Sequence, residues 1–338
     1  MDVILTLIFS IILFNYAHEF GHFIVARLTA MPIPAMYVGV GPALARKTTK
    51  SGTQMVFGLI PVASMQADGR VFREFPAFRR LLVASAGPMA NFLFTFVLLA
   101  VSYIGFNAPS TAVVSAVDVD GRAYEAGMRD GDRLVAVDGS ATETWSDAGL
   151  RLLDRVGDTG TLELAVQRGE ERLEYGFEIS RWQSDVAQVD VFGDLGIGPD
   201  TSSDARASLF GGLFGAVRDT VRMFWSTTVS GFKMLFGSMS VLNFGGAMQL
   251  TQLGLDAGNL DAGDYLKLFA LFSLCFGLIN LLPGPIVDGL AMIVAAVEWV
   301  AGRPLPSVVD KLMQIVGYVL AFGPIPLCII HELIRVNS

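Results

Sequence analysis

His18-Glu19-Phe20-Gly21-His22 lies toward the end of an apolar run that begins at Val3. Residues four apart share one face of a helix, so His18 and His22 present two imidazoles to a single metal ion. Glu19 stands a third of a turn from His18 and reaches a water held on that metal. Two ligands and a general base on one helix form the pattern of a hydrolytic zinc site. The run from Val3 to about Val25 is long enough to cross a hydrocarbon core, which needs ~20 residues. Ionisable groups inside such a span are costly and mark function. The start of the run carries Asp2 rather than a basic residue, and no small-residue cleavage site precedes His18, so a retained span is expected rather than a signal peptide.

Composition agrees with a membrane setting. Of the 338 residues, 52% are apolar and 17% charged, against a norm of about 25% charged for soluble domains. The net charge of −8 is uneven: positions 111–200 hold 19 acidic and 8 basic residues, a net of −11. Nothing resembles a basic nucleic-acid patch, and no nucleic-acid partner is expected. Cys275 and Cys328 both lie in apolar runs and read as buried free thiols, so neither a disulfide framework nor a cysteine zinc site is available.

Outward from the motif, positions 27–80 carry Arg27, Arg46, Lys47, Lys50, Arg70, Arg73, Arg79 and Arg80 against Asp68 and Glu74. The positive-inside rule puts this loop in the cytoplasm and the motif near the cytoplasmic face. Tyr37–Leu44 and Gln54–Val62 read as a β-hairpin whose Gly58–Val62 end is apolar enough to dip toward the motif; an ordinary cytoplasmic hairpin is the alternative. Leu81 to about Phe106 is a second span, opened by Ala86-Gly87-Pro88-Met89-Ala90-Asn91, whose small residues permit close helix packing.

From Thr111 the character changes to short strands and helices: a strand at Thr111–Val119, a helix at Arg122–Met128, a strand at Arg133–Val137, a turn at Asp138-Gly139, a helix at Trp145–Val156 and a hairpin at Thr161–Ile179. This order, with Ala126-Gly127-Met128-Arg129-Asp130-Gly131-Asp132 before a strand, resembles a PDZ domain of the kind attached to bacterial proteases. The resemblance implies a groove for an extended peptide, with steric capping of the membrane part as the alternative. Ala207–Gly237 suits amphipathic helices on the membrane surface, though Val221–Phe236 as a short span stays open. Tyr265–Leu282 is a third span, ended by Pro283 and Pro285. Asp288-Gly289 follows, then an apolar segment, Leu290–Val300. Leu312 to about Ile330 is a fourth span, with His331 at its far end in an interfacial role.

A hydrolytic zinc site needs three protein ligands and an open position. Asp288 has the depth and the chemistry for the third; a helix N-cap role for it is the alternative and is compatible with metal binding. Asn280 is the first candidate to stabilise an oxyanion and Asn91 a weaker one.

These motifs occur in the order of the bacterial site-2 proteases, zinc intramembrane metalloproteases that this chain resembles over nearly its whole length: His18–His22, Gly87-Pro88-Met89-Ala90-Asn91, the PDZ insert, and Asn280-Leu281-Leu282-Pro283-Gly284-Pro285-Ile286-Val287-Asp288-Gly289. The resemblance implies zinc ligation by His18, His22 and Asp288, catalysis by Glu19, and contact of Asn280 with substrate or oxyanion. It also implies cleavage within the spans of single-pass membrane proteins, such as anti-sigma factors or signal-peptide remnants. The chain departs from the family pattern at Val287-Asp288-Gly289-Leu290, at Ala291, at Cys275, in the loop after Pro61, and in having a single PDZ domain.

The expected fold is therefore a polytopic α-helical membrane protein of about four transmembrane helices, with a membrane-associated β-hairpin and an inserted α/β PDZ domain. Its expected parts are 1–110, 111–182 (PDZ), 183–263 (linker and surface helices) and 264–338. The expected setting is the bacterial inner membrane, with the PDZ domain periplasmic or extracellular and lipid, single-pass substrates and an extended peptide as partners. The competing readings are a membrane-bound quality-control zinc peptidase and a PDZ-bearing scaffold.

Overall fold

The computed structural model describes residues 2–49, 52–66, 69–106, 111–183, 190–199, 207–235, 262–284 and 287–322. Cys328 and His331 lie outside the described residues, as does the part of the expected fourth span beyond Phe322. Tertiary contacts divide the chain into two units, one built from the first 95 residues and the segment from Phe272, the other from Phe96–Leu271.

In the first unit, α1 (Asp2–Leu28) carries the His18–His22 motif. It ends where Ala30 turns left-handed (φ 55°) and the Thr29 hydroxyl donates to the Val25 carbonyl. β1 (Ala35–Thr48) and β2 (Gln54–Gln66) follow, longer than the stretches expected. Their pairing is mixed. From Thr48 opposite Gln54 to Ala35 opposite Gln66 the ladder runs antiparallel, while Ala35–Tyr37 also lie beside Gln54–Val56 in parallel. The strands must therefore bend. Gly39 (φ +135°) permits this where its Cα meets the Gly58 backbone, leaving no room for a side chain.

α2 (Gly69–Glu74) leads into α3 (Ala77–Gly105), which packs closely on α1: a side chain at Gly21 would overlap Ala86 and Ala90. Ala26, Met31, Ile33 and Val83 form a small core below this crossing. α8 (Ala262–Asn280) contributes its second half to this unit, followed by α9 (Asp288–Ala301) and α10 (Ser307–Phe322). Among the described residues, α3 and α8 are long and apolar enough to cross a membrane.

The second unit contains the inserted α/β domain. Its strands are β3 (Val114–Val117), β4 (Arg133–Val137), β5 (Ser140–Ala141), β6 (Gly160–Arg168), β7 (Glu171–Ile179) and β8 (Ile197–Pro199), with helices α4 (Arg122–Glu125), α5 (Trp145–Asp154) and α6 (Val191–Leu195). β5-β4-β6-β7 form an antiparallel sheet and β3 pairs with β8. Alternation in β6 buries Leu162, Leu164 and Val166 against Trp145, Leu152 and Phe177. α5 starts at a capping box in which Thr144 and Asp147 exchange hydrogen bonds.

Two expectations are corrected here. The boundary at 182 falls too early: Val191, Phe192, Leu195 and Ile197 lie in the same core, so the domain continues to Pro199. Short α6 and three-residue β8 carry too little periodicity to be read locally; only their burial attaches them. The segment expected as several surface helices is one 27-residue helix, α7 (Leu209–Leu235). Its basic charges find partners in the inserted domain. Arg218 pairs with Glu143 at 2.8 Å, Arg222 pairs with Asp147, and Lys233 donates to the Val156 carbonyl at 3.0 Å. Buried Asp219 accepts a 2.7 Å hydrogen bond from the Tyr103 hydroxyl. Phe210, Phe214, Val217, Val221 and Trp225 stay exposed along another face.

Asp132 is fully buried and takes both Nε and an NH2 group of Arg168, at 2.7 and 2.8 Å, together with the Arg129 N–H. Burial pushes its carboxyl up, but the Arg168 hydrogen bonds and the Arg129 N–H outweigh that and hold it below the usual range. A pKa lower in the folded chain than in the unfolded one gives stability above about pH 4 that is lost as the pH falls through the folded value. Asp132→Asn is expected to destabilise the domain by about 1.5–3 kcal/mol at neutral pH. Hydrogen exchange across 111–199 measures this, and the variant should have lost part of the wild type's acid sensitivity.

Candidate metal centre

Three side chains from two distant segments converge. His18 Nε2 lies 2.9 Å and His22 Nε2 3.1 Å from Asp288 Oδ2, and the two Nε2 atoms are 3.2 Å apart. Both histidines are buried, with side chains 6% and 8% exposed. Among the described residues this trio forms a group able to hold a metal ion. Asp288 is the first residue of α9 and does not serve as its N-cap; that position belongs to Val287, whose side chain makes no cap bond. The carboxylate turns to the histidines instead, and the positive end of the helix favours its charge.

α3 forms the floor of the site. His22 Nδ1–H donates to the Val83 carbonyl at 2.7 Å, which leaves the Nε2 lone pair for a metal. Pro88 lies within α3 and removes the N–H that would close on Ala84. This loosens the turn next to Val83. Gly87 sits directly beneath the imidazoles, and an added Cβ would overlap Nε2 of His22 and stand 2.7 Å from Nε2 of His18. Asn91, fully buried, places its amide nitrogen 3.1 Å from His18 Nδ1. The Asn91 backbone carbonyl accepts from Thr95 at 2.9 Å and from Ser273 at 3.0 Å. Phe276 packs edge-on against His18, with centroids 5.5 Å apart.

The donor set fits zinc. Two nitrogens and a carboxylate oxygen are its ordinary ligands, and their 2.9–3.2 Å separations sit just inside the roughly 3.3 Å expected around a tetrahedral ion. One group must adjust. For His18 Nε2 to offer a lone pair, its ring proton must sit on Nδ1, and Asn91 must then present an acceptor. Asn91 Oδ1 is buried without a hydrogen-bond partner, so a half-turn of the amide supplies that acceptor and sacrifices no bond of Oδ1.

Glu19, half-buried, lies within electrostatic reach of His22. Asn280 is also buried, but its amide donates back to the Phe276 carbonyl of its own helix at 2.9 Å. The structure thus brings His18, His22 and Asp288 together, and it bonds Asn91 to His18 and Asn280 to local backbone. The sequence marks Gly87 for close helix packing and not for a place beneath the imidazoles, and it does not mark Val83, although Val83, Gly87, Asn91 and Thr95 recur every four residues and so line one stripe of α3.

Set beside known proteins, the chain matches the profile of peptidase family M50 over residues 4–324. A Rhizobium meliloti protein, provisionally named a zinc metalloprotease, is 28% identical, covering 93% of this chain and 92% of its own length. Similarly named proteins of Agrobacterium fabrum and Rickettsia conorii are each 26% identical, each covering 94% of this chain and 91% and 95% of their own lengths.

Proposed function

This chain belongs to peptidase family M50, a membrane-embedded family of zinc metalloproteases, and from that premise we propose that His18, His22 and Asp288 hold the zinc ion and that Glu19 is the general base of an intramembrane endopeptidase. The convergence of the three donors within 3.2 Å supports the ligand assignment. When bound, zinc supplies Lewis acidity that polarises the scissile carbonyl and makes water acidic enough to lose a proton near neutral pH. Glu19 takes that proton and returns it to the leaving amine. Asn91 and the Val83 carbonyl keep each imidazole in the tautomer and orientation that ligation needs.

The substrates we propose are the spans of single-pass membrane proteins. A helical peptide bond is shielded by its own hydrogen bonds, so the span must unwind before attack. The β1–β2 pair is suited to hold it extended, because the pairings of Phe57–Ala63 run to β1 on one side only, which leaves an edge for strand addition. The inserted domain reads as a PDZ module that takes an extended peptide, and the apolar face of α7 reads as lipid-facing. We place the protein in a bacterial inner membrane with the inserted domain outside and the metal site near the cytoplasmic face.

Reconstitution with a model single-pass substrate, followed by mass mapping of the products, tests this. Cleavage inside the span supports it; cleavage confined to soluble flanks overturns it. Phe57→Pro, which removes a ladder donor and stiffens the strand, is expected to lower cleavage with zinc content unchanged, and undiminished cleavage would rule out the hairpin's role.

A further inference from the structure

Away from the metal centre, the first unit buries a second pair of charges. Arg80 near the start of α3 and Glu298 near the end of α9 form an ion pair with each side chain 9% exposed. Both are fully engaged: Arg80 Nε donates to the Phe75 carbonyl at 3.1 Å, and Glu298 Oε1 accepts the Leu305 N–H at 2.8 Å. Beside them the rings of Phe78 and Trp299 meet at a tilt of 42°, with centroids 5.0 Å apart. Taking two opposite charges largely out of water is costly and adds little stability over a well-packed apolar pair, and in some proteins such a pair serves to fix the arrangement of the parts it joins.

Its position shows what is being arranged. Arg80 lies one turn before Val83, whose carbonyl fixes His22. Glu298 lies on the helix that begins with Asp288. The pair therefore joins the element that seats the histidines to the element that delivers the carboxylate. On one face α9 is incompletely packed: a cleft of about 460 Å³ opens along it, lined by Arg73, Arg80, Val287, Leu290, Val294 and Glu298. At its other end α9 is held where Gly289 abuts the Leu281 and Leu282 carbonyls, with no room for a side chain. That contact fixes the start of the helix, and the ion pair holds its far end. Metal ligands tolerate shifts of only ~0.2 Å.

We propose that Arg80 and Glu298 are positioning residues that lock the roll of α9 so that Asp288 meets His18 and His22. This rests on the reading of Asp288 as a zinc ligand. The test uses full-length detergent-purified protein, zinc affinity by chelator competition, and the visible spectrum of the cobalt-substituted form. Arg80→Gln and Glu298→Gln are expected to weaken zinc by about 10-fold or more and to move the cobalt spectrum toward that of Asp288→Ala. The charge-swapped double variant, Arg80→Glu with Glu298→Arg, should recover part of both. Val56→Ala, which loosens the buried side of the β1–β2 pair in the same unit, should keep the wild-type spectrum and affinity.

Wild-type affinity and spectrum in Arg80→Gln overturn the proposal. So does a Val56→Ala variant that loses zinc as strongly, since the effect would then be general loosening. If the single variants do not fold, the double variant decides, and a folded double without tight zinc overturns the proposal. Asp288→Ala separates the two levels. Undiminished zinc there removes the ligand reading itself, whereas lost zinc there with none lost in Arg80→Gln removes only the clamp.

Discussion

Glu19→Gln is expected to abolish cleavage of a single-pass substrate while zinc content and fold stay at wild-type levels. The substitution keeps the shape and the hydrogen-bonding reach of the side chain but removes its basicity. A positioned general base contributes about 10²–10⁴-fold. In the proposed mechanism Glu19 serves twice, accepting a proton from water and returning it to the amine, so the loss should fall at the upper end. The ligands are untouched: His22 keeps its bond to Val83 and His18 its contact with Asn91. Activity and metal content should therefore separate. Equal cleavage by wild type and variant would refute the assignment, and zinc loss in the variant would show that Glu19 supports the metal site instead.

Gly87→Ala is expected to remove zinc binding, and with it activity. The new Cβ would overlap Nε2 of His22 and press on Nε2 of His18. α1 and α3 are in close contact here, with Gly21 of α1 against the Ala86 carbonyl and Ala90 and no space for a side chain, so there is no slack to absorb the methyl. Either the imidazoles swing aside or the helices part. Overpacking of this kind costs about 1–3 kcal/mol of stability, but the larger effect is on the metal, since both affected atoms are donors. Gly105→Ala in the same helix is the control. It meets nothing within 4 Å and should be neutral or slightly stabilising, by up to about 1 kcal/mol. Metal analysis of the purified variants measures the contrast, and a zinc-replete Gly87→Ala would show that the metal does not sit above this glycine.

The parts of the site carried by local spacing were legible from residue types alone. His18 and His22 follow from the pitch of one helix. Asp138-Gly139 announces its turn, and both residues take positive φ, 47° and 72°. The inserted domain beyond residue 182 was not legible, since α6 and β8 are too short to show a period. Nor was the direction of α7's charges. Arg218, Arg222 and Lys233 look like a solvated or headgroup face until Glu143, Asp147 and the end of α5 are placed opposite them.

Asn91 and Asn280 show the same limit within the site. Both are polar residues in apolar helices, and the sequence ranks Asn280 above Asn91 as the functional one. In the fold Asn91 faces His18 and Asn280 faces the carbonyl four residues back. A side-chain amide satisfies itself on whichever group is nearest, and that is a property of the assembled helices.

The sequence by itself determined the chemistry on offer: two imidazoles one turn apart, an adjacent carboxylate, and an aspartate beyond a broken helix. Helical pitch and ligand preference are local, so spacing is enough to write them. Only the tertiary structure decided that Asp288 comes within hydrogen-bond distance of His22 across 266 residues of chain, that Val83 and Asn91 hold the two rings, and that Gly87 clears the space between them. Those outcomes depend on how α1, α3 and α9 pack, and packing is settled by close contacts between residues that have no neighbour relation along the chain.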